Sequence, residues 1–149
     1  MRQILISPKF IKDKNDNICH AIEHNWIRYS NEIGFCISLY NSSIKNFNRF
    51  DGLIIPGGNN LTKFSRLKID KDREKIEKYL FKKFLKLNKP ILGVCKGAQF
   101  IYDYYGLKIE KITGHIKKNH TIYNLNKQKY SVNSYHQYGL QKKNLKKNF

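Results

Sequence analysis

The most constraining feature of this sequence is a short apolar run, 91–94, that leads directly into the pentapeptide 93–97, Gly-Val-Cys-Lys-Gly. Pro90 separates the run from any preceding helix, so the run predicts a buried strand. The pentapeptide has the G-x-nucleophile-x-G form of a sharp strand-to-helix turn, in which the flanking glycines let strand and helix approach without Cβ clashes. The pattern predicts a strand, a strained turn at Cys95 and a helix that begins near Lys96.

Cys95 stands where such a turn carries its nucleophile. A thiol at the N-terminus of the following helix lies at the positive end of the helix dipole, which favours the thiolate, and the neighbouring Lys96 would act in the same direction. A cysteine here can also be a small buried hydrophobic residue. The preceding strand, the break at Pro90, the two glycines and the polar Gln99 one helical turn beyond together favour the catalytic interpretation.

Segments of strand and helix character alternate along residues 1–106. Apolar, β-branched runs predict strands at 3–7, 35–40, 50–55 and 91–94. Apolar residues at helical spacing predict one helix from Ile18 to a stop at Gly34 and another from Lys96 to Gly106. This alternation implies an α/β fold with a mainly parallel sheet and helices on both faces, where ligands bind outside the carboxyl ends of the strands.

The clearest helix of the sequence spans Asp70 to Leu87. Its predicted apolar face comprises Ile76, Tyr79, Leu80, Phe84 and Leu87, with charged residues at most intervening positions. The last third of the chain differs, because extended segments at 115–123 and 129–135 flank a turn at 124–127. The sequence contains no internal repeat and no interdomain linker, so we expect a single domain over residues 1–149.

A second glycine-bearing turn follows the predicted strand 50–55 and reads Pro56-Gly57-Gly58. Acyl transfer to a cysteine requires hydrogen-bond donors for the oxyanion that develops on the attacked carbonyl. The amide of Lys96 is one candidate donor, and the amide of Gly58 is a second, since glycine permits close backbone approach. The alternative is an ordinary turn after a strand.

The chain carries a formal net charge of +18, from 29 Lys and Arg against 11 Asp and Glu. Such a charge attracts polyanions, including nucleic acid, anionic lipid or a phosphorylated substrate; for the phosphorylated substrate, Lys96, Lys117 and Lys118 are candidate contacts. The alternative is a solvated lysine-rich surface. Because the lysines recur along the whole length instead of clustering beside stacking aromatic residues, we expect no nucleic-acid groove.

Targeting and metal-binding signals are weak in this sequence. Its apolar stretches are too short to cross a bilayer, and residues 1–7 do not resemble a signal peptide, so we expect a cytoplasmic protein without membrane partners. Cys19, Cys36 and Cys95 lie far apart, with no CxxC and no neighbouring histidine pair. The pattern therefore supports neither a disulfide framework nor a metal site.

Four segments resemble the class I glutamine amidotransferases, and specifically their γ-glutamyl hydrolase branch, the peptidase C26 type. They occur in the family's order and are 51–58, 72–74, 89–99 and 132–137. The resemblance implies a flavodoxin-like fold and an enzyme that needs no cofactor. Small bacterial members that hydrolyse γ-glutamyl-CDP-amidate in capsular polysaccharide synthesis are similar in overall character, and a nucleotide-bearing substrate would suit a basic chain.

The resemblance also implies roles for individual residues. Cys95 would attack the γ-carbonyl of a glutamyl amide, while the Gly58 and Lys96 amides would hold the oxyanion. Gln99 would help to bind the glutamyl head group. The segment Ser134, Tyr135 and His136 is similar to the part of the family that contacts the glutamyl moiety from the substrate side.

The base that completes the family's catalytic triad lies in a His-Pro-Glu-like motif, which this sequence lacks after His136. We expect the chain to be incomplete, with the histidine and its glutamate downstream of residue 149 and a basic tail at 141–149 as the last part given. The alternative is that His136, His115 or His120 serves as the base. Without a base beside the sulfur, Cys95 would be a weakened nucleophile.

Three functions are consistent with these features. The first is a cytosolic hydrolase that cleaves a small-molecule γ-glutamyl amide and releases glutamate. The second is the glutaminase component of an amidotransferase, which would pass ammonia to a partner synthase. The third is a catalytically inactive module whose basic surface binds a polyanion.

Overall fold

The computed structural model of the chain describes residues 1–140, which belong to two compact units, Met1–Phe100 and Ile101–Phe149. In chain order the first unit contains β1 (Arg2–Ile6), β2 (Lys9–Lys12), β3 (Ile18–Ala21), α1 (His24–Ile33), β4 (Phe35–Leu39), β5 (Gly52–Ile55), a 3-10 turn (Thr62–Phe64), α2 (Lys68–Lys86), β6 (Ile91–Gly93) and the start of α3 (Lys96–Tyr104).

Four of these strands form a parallel sheet in the order β4-β1-β5-β6. Helix α1 contacts β4, and α2 contacts β5 and β6. The core of the unit includes Leu5, Leu53 and Ile55 on the strands and Phe81 and Phe84 on α2, all at most 2% exposed. The predicted α/β class with a mainly parallel sheet is confirmed, and each predicted sheet strand is present with ends shifted by one or two residues.

The prediction of a helix beginning at Ile18 is wrong. Residues 18–21 form β3, which pairs antiparallel with β2, and α1 begins only at His24. The turn between these strands is closed by the Asp13 carboxylate, which accepts hydrogen bonds from the amides of Asn15 at 2.8 Å and Asn17 at 2.9 Å. The run of Asp and Asn residues at 13–17 was the signal for this hairpin, and the helical spacing of the apolar residues after it was misleading.

The buried face of α2 also differs from the predicted one. Leu80 and Phe84 are fully buried, but Tyr79 is 43% exposed and Ile76 is only half-buried. The first half of the helix buries charged side chains instead, namely those of Asp70, Arg73, Glu74 and Glu77. A pattern of apolar spacing cannot reveal this arrangement, because it assigns every charged position to solvent.

The second unit contains the end of α3 and two small antiparallel sheets. Strands β7 (Ile109–Lys111) and β10 (Tyr138–Leu140) form one sheet, and β8 (Ile116–Tyr123) and β9 (Lys129–Tyr135) form the other. The predicted extended segments around a turn at 124–127 are confirmed. Most residues of β8 and β9 are exposed.

The predicted single domain and the basic tail both include residues 141–149, which lie outside the described residues. Between Met1 and Leu140, no helix is long and apolar enough to cross a membrane.

Candidate active site

The two glycine-bearing turns lie side by side at the carboxyl edge of the sheet. Strands β5 and β6 are parallel neighbours with Ile55 paired to Gly93, so the loop after β5 and the turn after β6 leave the sheet at the same level. A Cβ atom added to Gly57 would lie 3.2 Å from the Cβ of Cys95 and 3.6 Å from its Sγ. The loop 56–59, called the glycine loop below, therefore lies next to Cys95, with little space for a side chain at position 57.

Cys95 occupies a strained turn, as the pentapeptide predicts. Its φ is +54°, in the left-handed region that costs a residue with a side chain about 1–2 kcal/mol. The residue is exposed, and its carbonyl accepts a hydrogen bond from the Gln99 amide at 3.1 Å. The fold thus presents the thiol at the N-terminus of α3, with Gln99 one turn further along the helix.

Gly97 explains how strand and helix can meet so closely. A Cβ atom at this position would lie 1.8 Å from the carbonyl oxygen of Ile55, far inside van der Waals contact. Only a residue without a side chain fits here. Helix α3 therefore packs directly on the backbone of β5.

Two backbone amides in this region lack a protein partner. Within residues 1–140, neither the Gly58 amide nor the Lys96 amide donates a hydrogen bond to another protein atom. Lys96 is the first residue of α3, where amides have no acceptor within the helix. Both amides are thus available to stabilise a negatively charged oxygen.

The buried Arg73 side chain donates hydrogen bonds to the glycine loop. It is 0% exposed. One terminal nitrogen donates to the carbonyl of Gly58 at 2.8 Å and to the Asn59 side-chain oxygen at 2.8 Å, and the other donates to the carbonyl of Pro56 at 2.9 Å. Its Nε donates to Glu77 at 2.9 Å. A single buried guanidinium therefore contacts three residues of the loop.

The side chain of Lys96, a predicted contact for a phosphorylated ligand, is buried and paired, so it is not available to such a ligand. It is 4% exposed, and its ammonium pairs with the second carboxylate oxygen of Glu77. Burial lowers the pKa of Lys96, and the attraction of Glu77 opposes this shift without cancelling it. The prediction failed because the inward direction of a side chain at the start of α3 depends on a carboxylate from another helix.

The β2–β3 hairpin also borders the loop. The Asn59 side chain accepts a hydrogen bond from the Phe10 amide and donates one to the Phe10 carbonyl, each at 3.1 Å. A Cβ atom added to Gly58 would lie 2.7 Å from Cε of Lys9. Sequence reasoning missed these neighbours together with Arg73 and Glu77. The signal for the latter pair was an Arg and a Glu four residues apart on one helical face.

The substrate-side segment lies in the second unit. Ser134 is 4% exposed, and its hydroxyl is 3.5 Å from Nδ1 of His115. Tyr135 is 67% exposed, and Nδ1 of His136 donates to the carbonyl of Tyr138 at 2.9 Å.

Three histidines that are alternative candidates for the base lie together in this unit. The rings of His120 and His136 lie 4.6 Å and 5.1 Å from that of His115. Desolvation and the two neighbouring imidazoles lower the pKa of His115. No group of three or more His, Cys, Asp or Glu side chains among residues 1–140 is arranged to hold a metal ion.

Comparison with known proteins identifies the family. The sequence profile of "Glutamine amidotransferase class-I" matches residues 16–149. A γ-glutamyl-CDP-amidate hydrolase of Campylobacter jejuni is 34% identical over 90 residues, which are 60% of this chain and 44% of that protein. The match thus spans less than half the length of this curated relative.

Two solved structures share the fold. A glutamine amidotransferase from Thermotoga maritima has a TM-score of 0.66 at 14% identity, covering 94% of this chain and 62% of that one. A putative GMP synthase component from Thermoplasma acidophilum has a TM-score of 0.63 at 21% identity, covering 95% and 68%. The profile match over residues 16–149 shows that this chain belongs to the class I glutamine amidotransferase family.

Proposed function

We propose that this protein is a cysteine-dependent hydrolase of a γ-glutamyl amide bond, with Cys95 as the nucleophile. One observation carries the proposal: an exposed cysteine in a left-handed turn contacts a glycine loop, and the Gly58 and Lys96 amides have no protein partner within residues 1–140. Family membership supports hydrolysis as the reaction class.

The proposed reaction has two steps. The Cys95 thiolate attacks the γ-carbonyl carbon, and the oxyanion accepts hydrogen bonds from the Gly58 and Lys96 amides. The C–N bond then breaks, and the departing nitrogen takes a proton while a glutamyl thioester remains on the sulfur. Water attacks the thioester, releases glutamate and returns the thiol.

The first step needs a base that removes the thiol proton. His115, His120 and His136 are the candidates in the described second unit. A histidine and a glutamate downstream of Phe149 also stay a prediction, which the continuation of the reading frame would test.

We propose γ-glutamyl-CDP-amidate as the substrate, with glutamate and cytidine diphosphoramidate as products, in capsular polysaccharide biosynthesis. The similarity to a γ-glutamyl-CDP-amidate hydrolase supports this choice, and the net charge of +18 suits an anionic nucleotide. Lys117 and Lys118 are exposed on β8 and remain candidate phosphate contacts. The roles of Gln99, Ser134, Tyr135 and His136 in glutamyl binding stay predictions, and alanine variants should raise KM.

The test measures glutamate release from γ-glutamyl-CDP-amidate and from γ-glutamyl-p-nitroanilide by the full-length protein. Cys95→Ala should abolish release, and mass spectrometry of the quenched wild-type reaction should locate a glutamyl thioester on Cys95. Unchanged turnover in Cys95→Ala would exclude the proposed role. Release from neither substrate, with Cys95 still alkylated by iodoacetamide, would favour an inactive basic module.

A glutaminase that serves a partner synthase is the second candidate, and the amidotransferase profile supports it. Such a glutaminase hydrolyses free glutamine and passes the ammonia to the synthase. It would be nearly silent by itself and active once the partner is added. Hydrolysis of γ-glutamyl-CDP-amidate by the isolated protein, at a rate well above that for glutamine, would exclude this alternative.

A further inference from the structure

Arg73 donates hydrogen bonds to the peptide groups on both sides of the Gly58 amide, one of the two proposed oxyanion donors. The Gly58 amide belongs to the peptide group that joins Gly57 to Gly58. Arg73 binds the carbonyl of Pro56, in the preceding peptide group, at 2.9 Å and the carbonyl of Gly58, in the following one, at 2.8 Å. Because each peptide group is planar, holding both neighbours restricts the direction of the N–H between them.

Glu77 connects this arrangement to the second donor. One carboxylate oxygen accepts from Arg73 at 2.9 Å, and the other accepts from the ammonium of Lys96. Lys96 carries the other proposed oxyanion amide on its backbone. A single side chain, itself 0% exposed, thus joins the residue that holds the glycine loop to the first residue of α3.

We propose that Arg73 and Glu77 are positioning residues, which align the Gly58 and Lys96 amides beside Cys95 without touching the substrate. The inference rests on the proposed function of Cys95. It adds that the two halves of the oxyanion site are aligned by one buried Arg73–Glu77–Lys96 network, so that disturbing the network lowers acyl transfer more than it lowers the reactivity of the thiol.

The chemistry of the side chains supports positioning over stability. Buried ion pairs are often replaceable by apolar residues of similar volume without loss of stability, so stability alone does not account for three charged groups at this depth. A guanidinium offers several donors in a rigid planar fork, and here the fork reaches the loop and Glu77 at once. A lysine at position 73 would keep the charge and lose this geometry.

The main test is Arg73→Lys in the full-length protein, which preserves the charge balance with Glu77. Two rates are measured: hydrolysis of γ-glutamyl-p-nitroanilide, which develops an oxyanion, and alkylation of Cys95 by iodoacetamide, which does not. We expect kcat to fall about 100-fold, as for the loss of one oxyanion donor, with KM within about threefold. Alkylation should stay within about twofold of wild type.

Glu74→Gln is the matched control. Glu74 is a buried carboxylate on the same helix, but it binds Thr62 and Lys78 and makes no hydrogen bond to Arg73, Lys96 or the glycine loop within residues 1–140. Its substitution should leave kcat within about threefold of wild type while lowering stability. Glu77→Gln leaves both Arg73 and Lys96 without their buried carboxylate, so it should lower both kcat and stability. Adding Lys96→Met removes one of these two buried cations, so the double variant should be more stable than Glu77→Gln while its kcat stays low.

The outcomes separate this inference from the function on which it rests. Equal losses of alkylation and hydrolysis in Arg73→Lys, or a kcat within threefold of wild type, would overturn it. If the wild type cleaves no γ-glutamyl compound, the proposed function fails and the ¹H–¹⁵N nuclear Overhauser effect of Gly58 decides. A lower value in Arg73→Lys, with no change in Glu74→Gln, supports positioning, whereas unchanged values in both variants overturn it.

Discussion

The two units carry their candidate functional residues in different ways. In the first unit the backbone forms most of the site: Cys95 lies at φ +54°, Gly97 leaves no room for a Cβ, and buried charges hold the loop. In the second unit the substrate-side candidates are side chains at the end of β9 and on the residue after it: Ser134 is buried, Tyr135 is exposed and His136 is half-buried. The first arrangement depends on non-local packing, and the second depends mainly on which side chains are present.

This difference predicts which substitutions should lower the free energy of unfolding most. A backbone site tolerates almost no added volume, because its atoms are fixed by neighbouring strands and helices. An exposed side chain such as Tyr135 of the second unit can be substituted with only a small effect on folding. We therefore expect the largest losses of stability at buried backbone positions of the first unit and the smallest at the histidines of the second.

Gly97→Ala tests whether the first unit is as tightly constrained as its geometry indicates. The new Cβ would meet the Ile55 carbonyl oxygen at 1.8 Å, so strand and helix must separate. We expect the free energy of unfolding to fall by about 3 kcal/mol, measured by urea denaturation with Trp26 fluorescence. Gly139→Ala in the second unit is the control, since the nearest atom to its Cβ would be the end of the Ile112 side chain at 3.1 Å. Equal effects at both positions would remove the contrast.

The buried carboxylate of Glu74 should make the stability of the first unit depend on pH. Burial raises the pKa of Glu74, but hydrogen bonds from the Thr62 amide and hydroxyl and from Lys78 outweigh it, so the pKa lies below its usual 4.5. The unfolded state then binds the proton more readily, and the stabilisation is present above pH 4.5 and lost as pH falls through the folded pKa.

Glu74→Gln should therefore cost about 2 kcal/mol at pH 7, and the difference from wild type should shrink at low pH. Urea denaturation at pH 7 and pH 3 measures both values. Asp72→Asn on the exposed side of the same helix should have a smaller effect at pH 7, because solvent screens its ion pairs with Lys68 and Lys75. A Glu74→Gln cost that does not change with pH would contradict the explanation.

Substitutions at Cys95 should show how much the left-handed backbone of the turn lowers stability. Both Cys95→Ala and Cys95→Gly should abolish γ-glutamyl hydrolysis, but only glycine relieves the left-handed backbone. We expect the glycine variant to be more stable than the alanine variant by about 1 kcal/mol, measured by thermal denaturation. A more stable alanine variant would indicate an unstrained turn.

The smallest change in stability is expected for the cluster of His115, His120 and His136 in the second unit. The pKa of His115 is lowered from 6.5, so the unfolded state protonates first as the pH falls. Stabilisation of the folded hairpin is complete above pH 6.5 and is lost as the pH falls through the folded pKa. Hydrogen exchange of peptides from 115–136, corrected for intrinsic rates, should show more opening at pH 5 than at pH 7.5, and His115→Gln should reduce that difference.

Local sequence patterns predicted most of the fold. Pro90, the apolar run after it and the glycines of the pentapeptide predicted β6, the turn at Cys95 and the start of α3, since each depends on a few adjacent residues. The hairpin of β2 and β3 was missed because its apolar residues also fit a helical period. The buried face of α2 was wrong for a related reason: apolar periodicity treats Arg73 and Glu77 as solvent-facing.

Local sequence patterns were sufficient to predict the parallel α/β architecture, the turn that presents Cys95 and the glycine at position 97. These follow from steric limits on the backbone and from hydrophobic period, which act over short stretches of chain. The inward direction of the Lys96 side chain became visible only in the folded structure. So did the contacts by which Arg73 and Glu77 connect Gly58 to Lys96. The contacts of Arg73 with Gly58 and of Glu77 with Lys96 link residues 15 and 19 positions apart, and they form only because α2 packs against β5 and β6.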